Sequence, residues 1–453
     1  MDVLQTVGLM LLALTILIVI HELGHFWAAR IFGMRVEAFA LFFGPKLFGV
    51  KRGETEWRFN LVPLGGYVKI SGMLDEHMDT DQMAQEPQPW EFRSKPSWQR
   101  LIVMLGGIIM NIILGCLIFI SLKYANGDNR IDNSKLEYGI FVSDSTAAQE
   151  LGFRTGDRLV TYMGDSITWF DDASDPNNLV DRGKYFEVLR NGELIRIDIP
   201  DDYLNTFIDR KESSLFFPDG APVITVMDTS ADFNYKPGNP VNGFLGGLRK
   251  KDKILMIDSI PMERWSSVST YLKGKPNTAM EFLVLRDNKE VKLTISTDSS
   301  SMVGIALYTK DFFTHIDYGI GGAIPAGIQE AFNRMWSTVK GLGALFTGNA
   351  DPTKSVSGPI KIAGIYGNIF DRGGWTGFWV LTGMLSMVLA VMNLLPIPVL
   401  DGGQVVILII EAIIGREIPP GVKEWILRIG FFLVVALMIF VFANDIISLA
   451  TGD

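Results

Sequence analysis

His21-Glu22-Leu23-Gly24-His25 places two imidazoles four positions apart with a carboxylate between them. Residues i and i+4 share one face of a helix, so both rings can point at a single metal ion. The glutamate then stands beside that ion, where it can take a proton from a bound water. The chemistry this suggests is metal-assisted hydrolysis. The setting is unusual, because the motif closes an apolar run that begins at Val3 and is pure through Ile20. Ionisable groups inside a membrane span are costly and functional by default. The plain alternative is a polar cluster that only ends the span at the interface.

A catalytic zinc takes three protein ligands and leaves one position open for water. The remaining histidines, His77 and His315, sit in polar contexts, so the third ligand is sought elsewhere. Asp401 qualifies, in the stretch Asn393-Leu394-Leu395-Pro396-Ile397-Pro398-Val399-Leu400-Asp401-Gly402-Gly403. Taken alone, it is equally an ordinary turn residue before two glycines. Topology favours the ligand reading. Apolar runs long enough to cross a bilayer cover Val3 to Ile20, about Leu101 to Leu122, about Trp375 to Leu395 and about Trp425 to Leu449. Ten Lys and Arg between Arg30 and Arg100, with Arg416 and Lys423 later on, mark two basic loops as cytoplasmic. Both termini and the long stretch from about Asn126 to Gly322 then lie outside. The first and third spans both run inward, and their inner ends carry the two motifs at one depth. The first run lacks a basic flank and a cleavage site, so it reads as a retained anchor.

Composition excludes other classes. The net charge of -9 argues against a nucleic-acid partner, since backbone phosphates demand a basic face. Cys116 is the only cysteine, so no internal disulfide forms. Of the 453 residues, 48% are hydrophobic, in keeping with a membrane protein.

The outer stretch is internally repeated. Gly152-Phe153-Arg154 and Asp157-Arg158-Leu159-Val160 recur 95 positions later as Gly247-Leu248-Arg249 and Asp252-Lys253-Ile254-Leu255. Val188-Leu189-Arg190-Asn191 recurs as Val284-Leu285-Arg286-Asp287. Each copy reads as short strands and turns and resembles a PDZ domain through Leu151-Gly152, Gly156 and Asp157; the second copy has Lys251 in place of Gly156. Between the first two spans, Val36 to Phe43 and Trp57 to Ile70 read as a β-hairpin. In it, Gly65-Gly66 bring backbone close to another element. The apolar spacing of Ile328, Phe332, Met335, Trp336, Val339, Leu342 and Phe346 reads as an amphipathic helix.

With these motifs in view, the chain resembles the site-2 protease family of intramembrane zinc metalloproteases, most of all its bacterial RseP-like branch. The resemblance rests on HELGH, on Asn-x-x-Pro-x-Pro-x-Leu-Asp-Gly, on the paired PDZ-like copies, and on Asn111 and Ser357-Gly358-Pro359-Ile360. Ile108 and Gln404 depart from what many relatives carry. The resemblance implies Zn2+ on His21, His25 and Asp401, with Glu22 as catalytic base. It implies substrate contacts from Asn393, Pro396, Pro398, Gly65 and Gly66, and makes the hairpin a membrane-reentrant loop. The substrates it implies are single-span membrane proteins, such as anti-sigma factors and remnant signal peptides, cut after a prior site-1 cut.

The expected fold is thus a polytopic α-helical membrane protein of about four transmembrane helices, with a membrane-associated β-hairpin and two exoplasmic PDZ-like domains. The expected divisions are 1–35 for the first helix, 36–97 for the hairpin and cytoplasmic segment, and 98–125 for the second helix. The two PDZ-like domains take 126–212 and 213–308, and a linker with the amphipathic helix takes 309–372. The third helix takes 373–415, and 416–453 holds the fourth helix and the C-terminus. The expected setting is a bacterial inner membrane with the active site toward the cytoplasm. Expected partners are the lipid bilayer, transmembrane substrates and peptide ligands of the PDZ-like pair. Two rivals remain in the sequence: a non-catalytic scaffold and an ion-coupled transporter.

Overall fold

A computed structural model describes residues 3–73, 86–144, 146–175, 183–201, 203, 206–207, 210, 214–226, 242–348 and 358–451. His77 and Ser357 lie outside these residues. The chain divides into two compact units: Met1–Asn126 with Tyr318–Val339 and Pro352–Asp453, and Gly127–Asp317 with Lys340–Asp351.

The helices of the first unit are α1 (Val3–Ile31), α2 (Ser97–Asn126), α3 (Ile320–Phe346, divided between the units at Val339), α4 (Pro359–Leu394), α5 (Asp401–Ile414) and α6 (Pro420–Thr451). Four of them, α1, α2, α4 and α6, are long and apolar enough to cross a membrane, so the protein is a polytopic helical membrane protein. Helices α1 and α2 touch backbone to backbone. A Cβ on Gly24 would lie 2.1 Å from the Gly106 carbonyl oxygen, so only glycine permits the crossing.

The expected third span, about Trp375 to Leu395, is helical from the kink at Gly374 to Leu394, and a further helical stretch precedes it. Part of the segment 309–372, read as linker and amphipathic helix, is already helical from Pro359, and α4 runs on through a kink at Gly374 (φ 55°, ψ −140°). Proline at the first helical position gives up an N–H that would have no partner there. The buried Asp445 carboxylate of α6 accepts from the N–H groups of Gly358 (2.9 Å), Ile360 (2.9 Å) and Lys361 (3.2 Å) at the start of this helix. Nor is 373–415 one helix. Pro396 and Pro398 interrupt it after Leu394, and α5 starts afresh at Asp401.

Strands β1 (Val36–Arg52) and β2 (Thr55–Ile70) pair antiparallel with repeated register shifts. Phe39 faces both Val68 and Trp57, so the first half of β1 is paired on both sides by parts of β2. Phe39, Val68 and Ile70 pack with Ala28 and Ala29 of α1, Val103 and Met104 of α2 and Leu408 of α5. That packing seats the sheet against the helices that carry the polar motifs.

The second unit contains two four-stranded sheets of like order. One is β4-β3-β5-β6, from β3 (Arg158–Tyr162), β4 (Asp165–Ser166), β5 (Tyr185–Arg190) and β6 (Glu193–Asp198). The other is β8-β7-β9-β10, from β7 (Lys253–Ile257), β8 (Ile260–Pro261), β9 (Ala279–Arg286) and β10 (Lys289–Ser296). Each sheet has its own apolar core, around Phe153, Phe186 and Phe216 in one and Ile254, Phe282 and Val284 in the other. In each, a buried aspartate receives a forked arginine: Arg190 on Asp157 (2.6 and 2.7 Å) and Arg286 on Asp252 (2.8 and 2.7 Å).

Candidate metal centre

The apolar α1 continues through the motif to Ile31, so His21 and His25 project from one unbroken helical face. Their Nε2 atoms lie 3.3 Å apart. Asp401, the first residue of α5, brings Oδ2 to 3.2 Å from His21 Nε2 and 3.4 Å from His25 Nε2. Gly402 and Gly403 permit this approach. A Cβ on Gly402 would meet the Leu394 carbonyl oxygen at 2.3 Å, and one on Gly403 the Ile397 carbonyl oxygen at 2.2 Å.

The donor set fits a zinc ion. Tetrahedral bonds of about 2.0–2.1 Å hold neighbouring donors about 3.3 Å apart, which matches all three spacings. His25 Nδ1 lies 2.8 Å from the Val103 carbonyl oxygen, so that nitrogen carries the ring proton and Nε2 keeps its lone pair. Asp401 Oδ2 is buried without a hydrogen-bond partner. The His25 Nε2 lone pair and the Asp401 Oδ2 thus converge with His21 Nε2 where a cation would satisfy them. Among the described residues, this is the one group of three or more His, Cys, Asp or Glu side chains spaced to hold a metal.

A cavity opens on these groups, lined by His21, Glu22, His25, Asp401, Asn393 and the β2 segment from Gly66 through Val68 to Ile70. Glu22 is only 8% exposed, and Gly66 sits against it: a Cβ there would lie 3.2 Å from Glu22 Cγ and 2.9 Å from the Ala40 carbonyl oxygen. Of the residues singled out for substrate contact, Asn393 and Gly66 line the cavity, whereas Gly65, Pro396 and Pro398 stand outside its lining. Gly65 packs on the Phe43 ring with φ 151°, and Pro398 packs on Gly430 of α6. His315, set aside above, contacts Asn129 and Asp317 in the second unit.

Other residues at the centre were not legible as such. The Val103 carbonyl is a backbone group with no sequence signature. Gly107 touches both rings, since a Cβ there would lie 2.4 Å from His25 Nε2 and 2.5 Å from His21 Cε1. Asn111, quoted above only as a family signature, reaches His21 Nδ1 at 3.2 Å. Its signal was a lone amide in the apolar run from Leu101 to Leu122. Glu411, which stands apart from the centre, was likewise visible as a charge inside the apolar stretch Val405 to Ile414. It is buried and pairs with Lys423 (2.6 Å) and, more distantly, Arg100 (3.7 Å).

Comparison with known proteins follows the same lines. Residues 9–437 match the model of Peptidase family M50. A protein of Clostridium perfringens named a zinc metalloprotease is 29% identical over 96% of this chain and 97% of its own length. One of Agrobacterium fabrum, similarly named, is 29% identical over 97% of this chain and 95% of its own. Regulator of sigma-E protease RseP of Salmonella typhimurium is 28% identical over 98% of this chain and 99% of its own.

Proposed function

The chain belongs to Peptidase family M50 and is a zinc metalloprotease, and we propose that it cleaves single-span membrane proteins within the bilayer at the His21–His25–Asp401 centre. The observation that carries this reading is the mutual 3.2–3.4 Å spacing of those three donors. Glu22 and a sheet edge share the cavity on which they open.

His21, His25 and Asp401 would hold the zinc, which would supply Lewis-acid chemistry toward a water and a peptide carbonyl near neutral pH. Glu22 is placed to take a proton from the attacking water and to pass it to the amine that leaves when the C–N bond breaks. A substrate helix hides its carbonyls in its own hydrogen bonds, so it must unwind before it can be cut. The β2 segment from Gly66 to Ile70 offers a backbone edge on which an unwound segment adds as a strand. Asn393 steadies the substrate backbone beside the cut.

The relatives' names support a bacterial setting, and we read this as an inner-membrane enzyme with its centre toward the cytoplasmic basic loops. The two repeated domains are PDZ-like and restrict access to the centre. A substrate such as an anti-sigma factor or a remnant signal peptide then enters only after a prior cut has trimmed it, as in the RseP-like branch. Glu22→Gln tests the chemistry. It should keep the fold and the zinc while slowing cleavage of a single-span substrate by about 10²–10⁴-fold. Cleavage at the wild-type rate would overturn the assignment.

A further inference from the structure

We propose that Asn111 is a positioning residue of the metal centre: its side-chain carbonyl accepts the Nδ1–H of His21 and so turns the Nε2 lone pair of that ring toward the zinc. This rests on the reading of His21 as a ligand.

Val103, Gly107 and Asn111 follow one another at intervals of four on α2, and so form one stripe along that helix. Each position serves the histidines in its own way. The Val103 carbonyl accepts from His25 Nδ1, which settles that ring's tautomer. Gly107 contributes only space, because any side chain there would overlap both rings. Asn111, one turn further, stands 3.2 Å from His21 Nδ1 and is itself fully buried. The amide nitrogen faces the ring in this placement, while Oδ1 is buried without a hydrogen-bond partner.

The nitrogen and oxygen of an amide have nearly the same shape, so the network decides which faces the ring. A facing N–H would make His21 Nδ1 the acceptor and put the ring proton on Nε2. That proton would point among His25 Nε2 and Asp401 Oδ2, at 3.3 and 3.2 Å, where it cannot coexist with coordination. A half-turn of the amide brings Oδ1 to Nδ1, moves the ring proton there and frees Nε2. Both histidines are then held alike, each donating Nδ1–H to a carbonyl from the same face of α2. The Asn111 position is anchored in turn: Ser386 Oγ of α4, also fully buried, donates to its backbone carbonyl at 2.7 Å. Helix α4 leads into the connection that delivers Asp401, so one contact chain joins the supports of two ligands.

The test uses purified full-length protein, with zinc affinity read by competition against a chromophoric chelator and ligand geometry by the visible spectrum of the cobalt-substituted protein. Asn111→Leu, which keeps the bulk and removes the acceptor, should weaken zinc binding about 10–100-fold and alter the cobalt spectrum. Asn111→Asp, which keeps an acceptor at the same place, should restore affinity and spectrum to near wild type. Zinc affinity and a cobalt spectrum unchanged in Asn111→Leu would overturn the proposal. Equal loss in Asn111→Leu and Asn111→Asp would overturn it too, by showing that the site needs asparagine for packing alone. His21→Ala separates the two levels. If it retains zinc, the ligand assignment itself has failed; if it loses zinc while Asn111→Leu does not, only the positioning role has failed.

Discussion

Asp401 and Asp252 each hold a carboxylate oxygen away from water, and they do so in opposite ways. Asp252 accepts two N–H groups of Arg286 and the backbone N–H of Arg249 at 2.7–2.8 Å, and Asp157 repeats the pattern with Arg190 and Arg154. Each arginine also donates to a backbone carbonyl, Gly152 in one copy and Gly247 in the other. Charge and hydrogen-bond capacity are matched within the protein, and the result is a strut between a turn and a strand. Asp401 Oδ2 faces two imidazole nitrogens whose ligand role requires lone pairs rather than protons. A buried carboxylate supplied with donors is architecture; one turned toward further acceptors needs a cation and marks a site.

The largest effect should come from emptying the unmatched site. The double variant His21→Ala/His25→Ala should lose the zinc, about one ion per chain, and all cleavage, while its helices persist. Elemental analysis of the purified protein and far-ultraviolet circular dichroism check both parts. Stoichiometric zinc in that variant would remove the contrast altogether.

Breaking a matched pair should do the reverse. Asp252→Ala strands the Arg286 guanidinium and should cost its repeat about 3–5 kcal/mol, with zinc content unchanged. Hydrogen exchange across β7 and β9 would report the loss. A parallel fall in zinc would show that the two classes of burial are not independent.

Glu411 sharpens the comparison, because it lies in the same unit as the metal centre and is paired with cations, although its buried Oε2 makes no hydrogen bond. Its partners are Lys423, the Ile418 N–H and Arg100, which also donates to Glu417 at 2.9 Å. Glu411→Ala should lower the thermal midpoint by an amount corresponding to about 2–3 kcal/mol. Stoichiometric zinc at saturating metal should remain, since no ligand is touched. Loss of the ion from an otherwise folded variant would move Glu411 into the site.

The smallest effect is one of pH. Asp219, fully buried between the repeats, accepts from Gly220 N–H, Ser266 N–H and Ser266 O–H, yet burial still raises its pKa. A carboxyl whose folded pKa exceeds its unfolded one contributes stability that is complete below the unfolded value. That contribution is lost as pH rises through the folded value. The second unit should therefore lose some stability as pH climbs from the ordinary carboxylate range through the raised value, and Asp219→Asn should flatten that slope. Hydrogen exchange near Trp265, corrected for intrinsic rates, measures it; a slope unchanged by the substitution would remove Asp219 as its source.

Some of this was settled by sequence because it depends on neighbours along the chain. The four-residue spacing of His21 and His25 decides that they share a helix face, whatever surrounds them. The length of the apolar runs decides how many helices can cross a bilayer, and the 95-residue shift exposes the duplicated segment by comparison of the chain with itself. The break after Leu394 is written in Pro396 and Pro398, and the third apolar run ends at about Leu395 for that reason, although the division 373–415 takes in the segment beyond it. The start of α4 at Pro359 was hidden for a different reason: its N–H groups are satisfied by Asp445, some 85 positions away.

Tertiary structure alone decided what converges. Asp401 comes within 3.2 Å of His21 because glycines let α5 turn back over the preceding connection. The rings are flanked by a carbonyl, a vacant Cβ position and an amide because Gly24 and Gly106 let α1 and α2 meet at backbone distance. Sequence can state which groups are able to bind a metal. Which of them have their lone pairs left over is set only when every other hydrogen bond in the fold has been assigned.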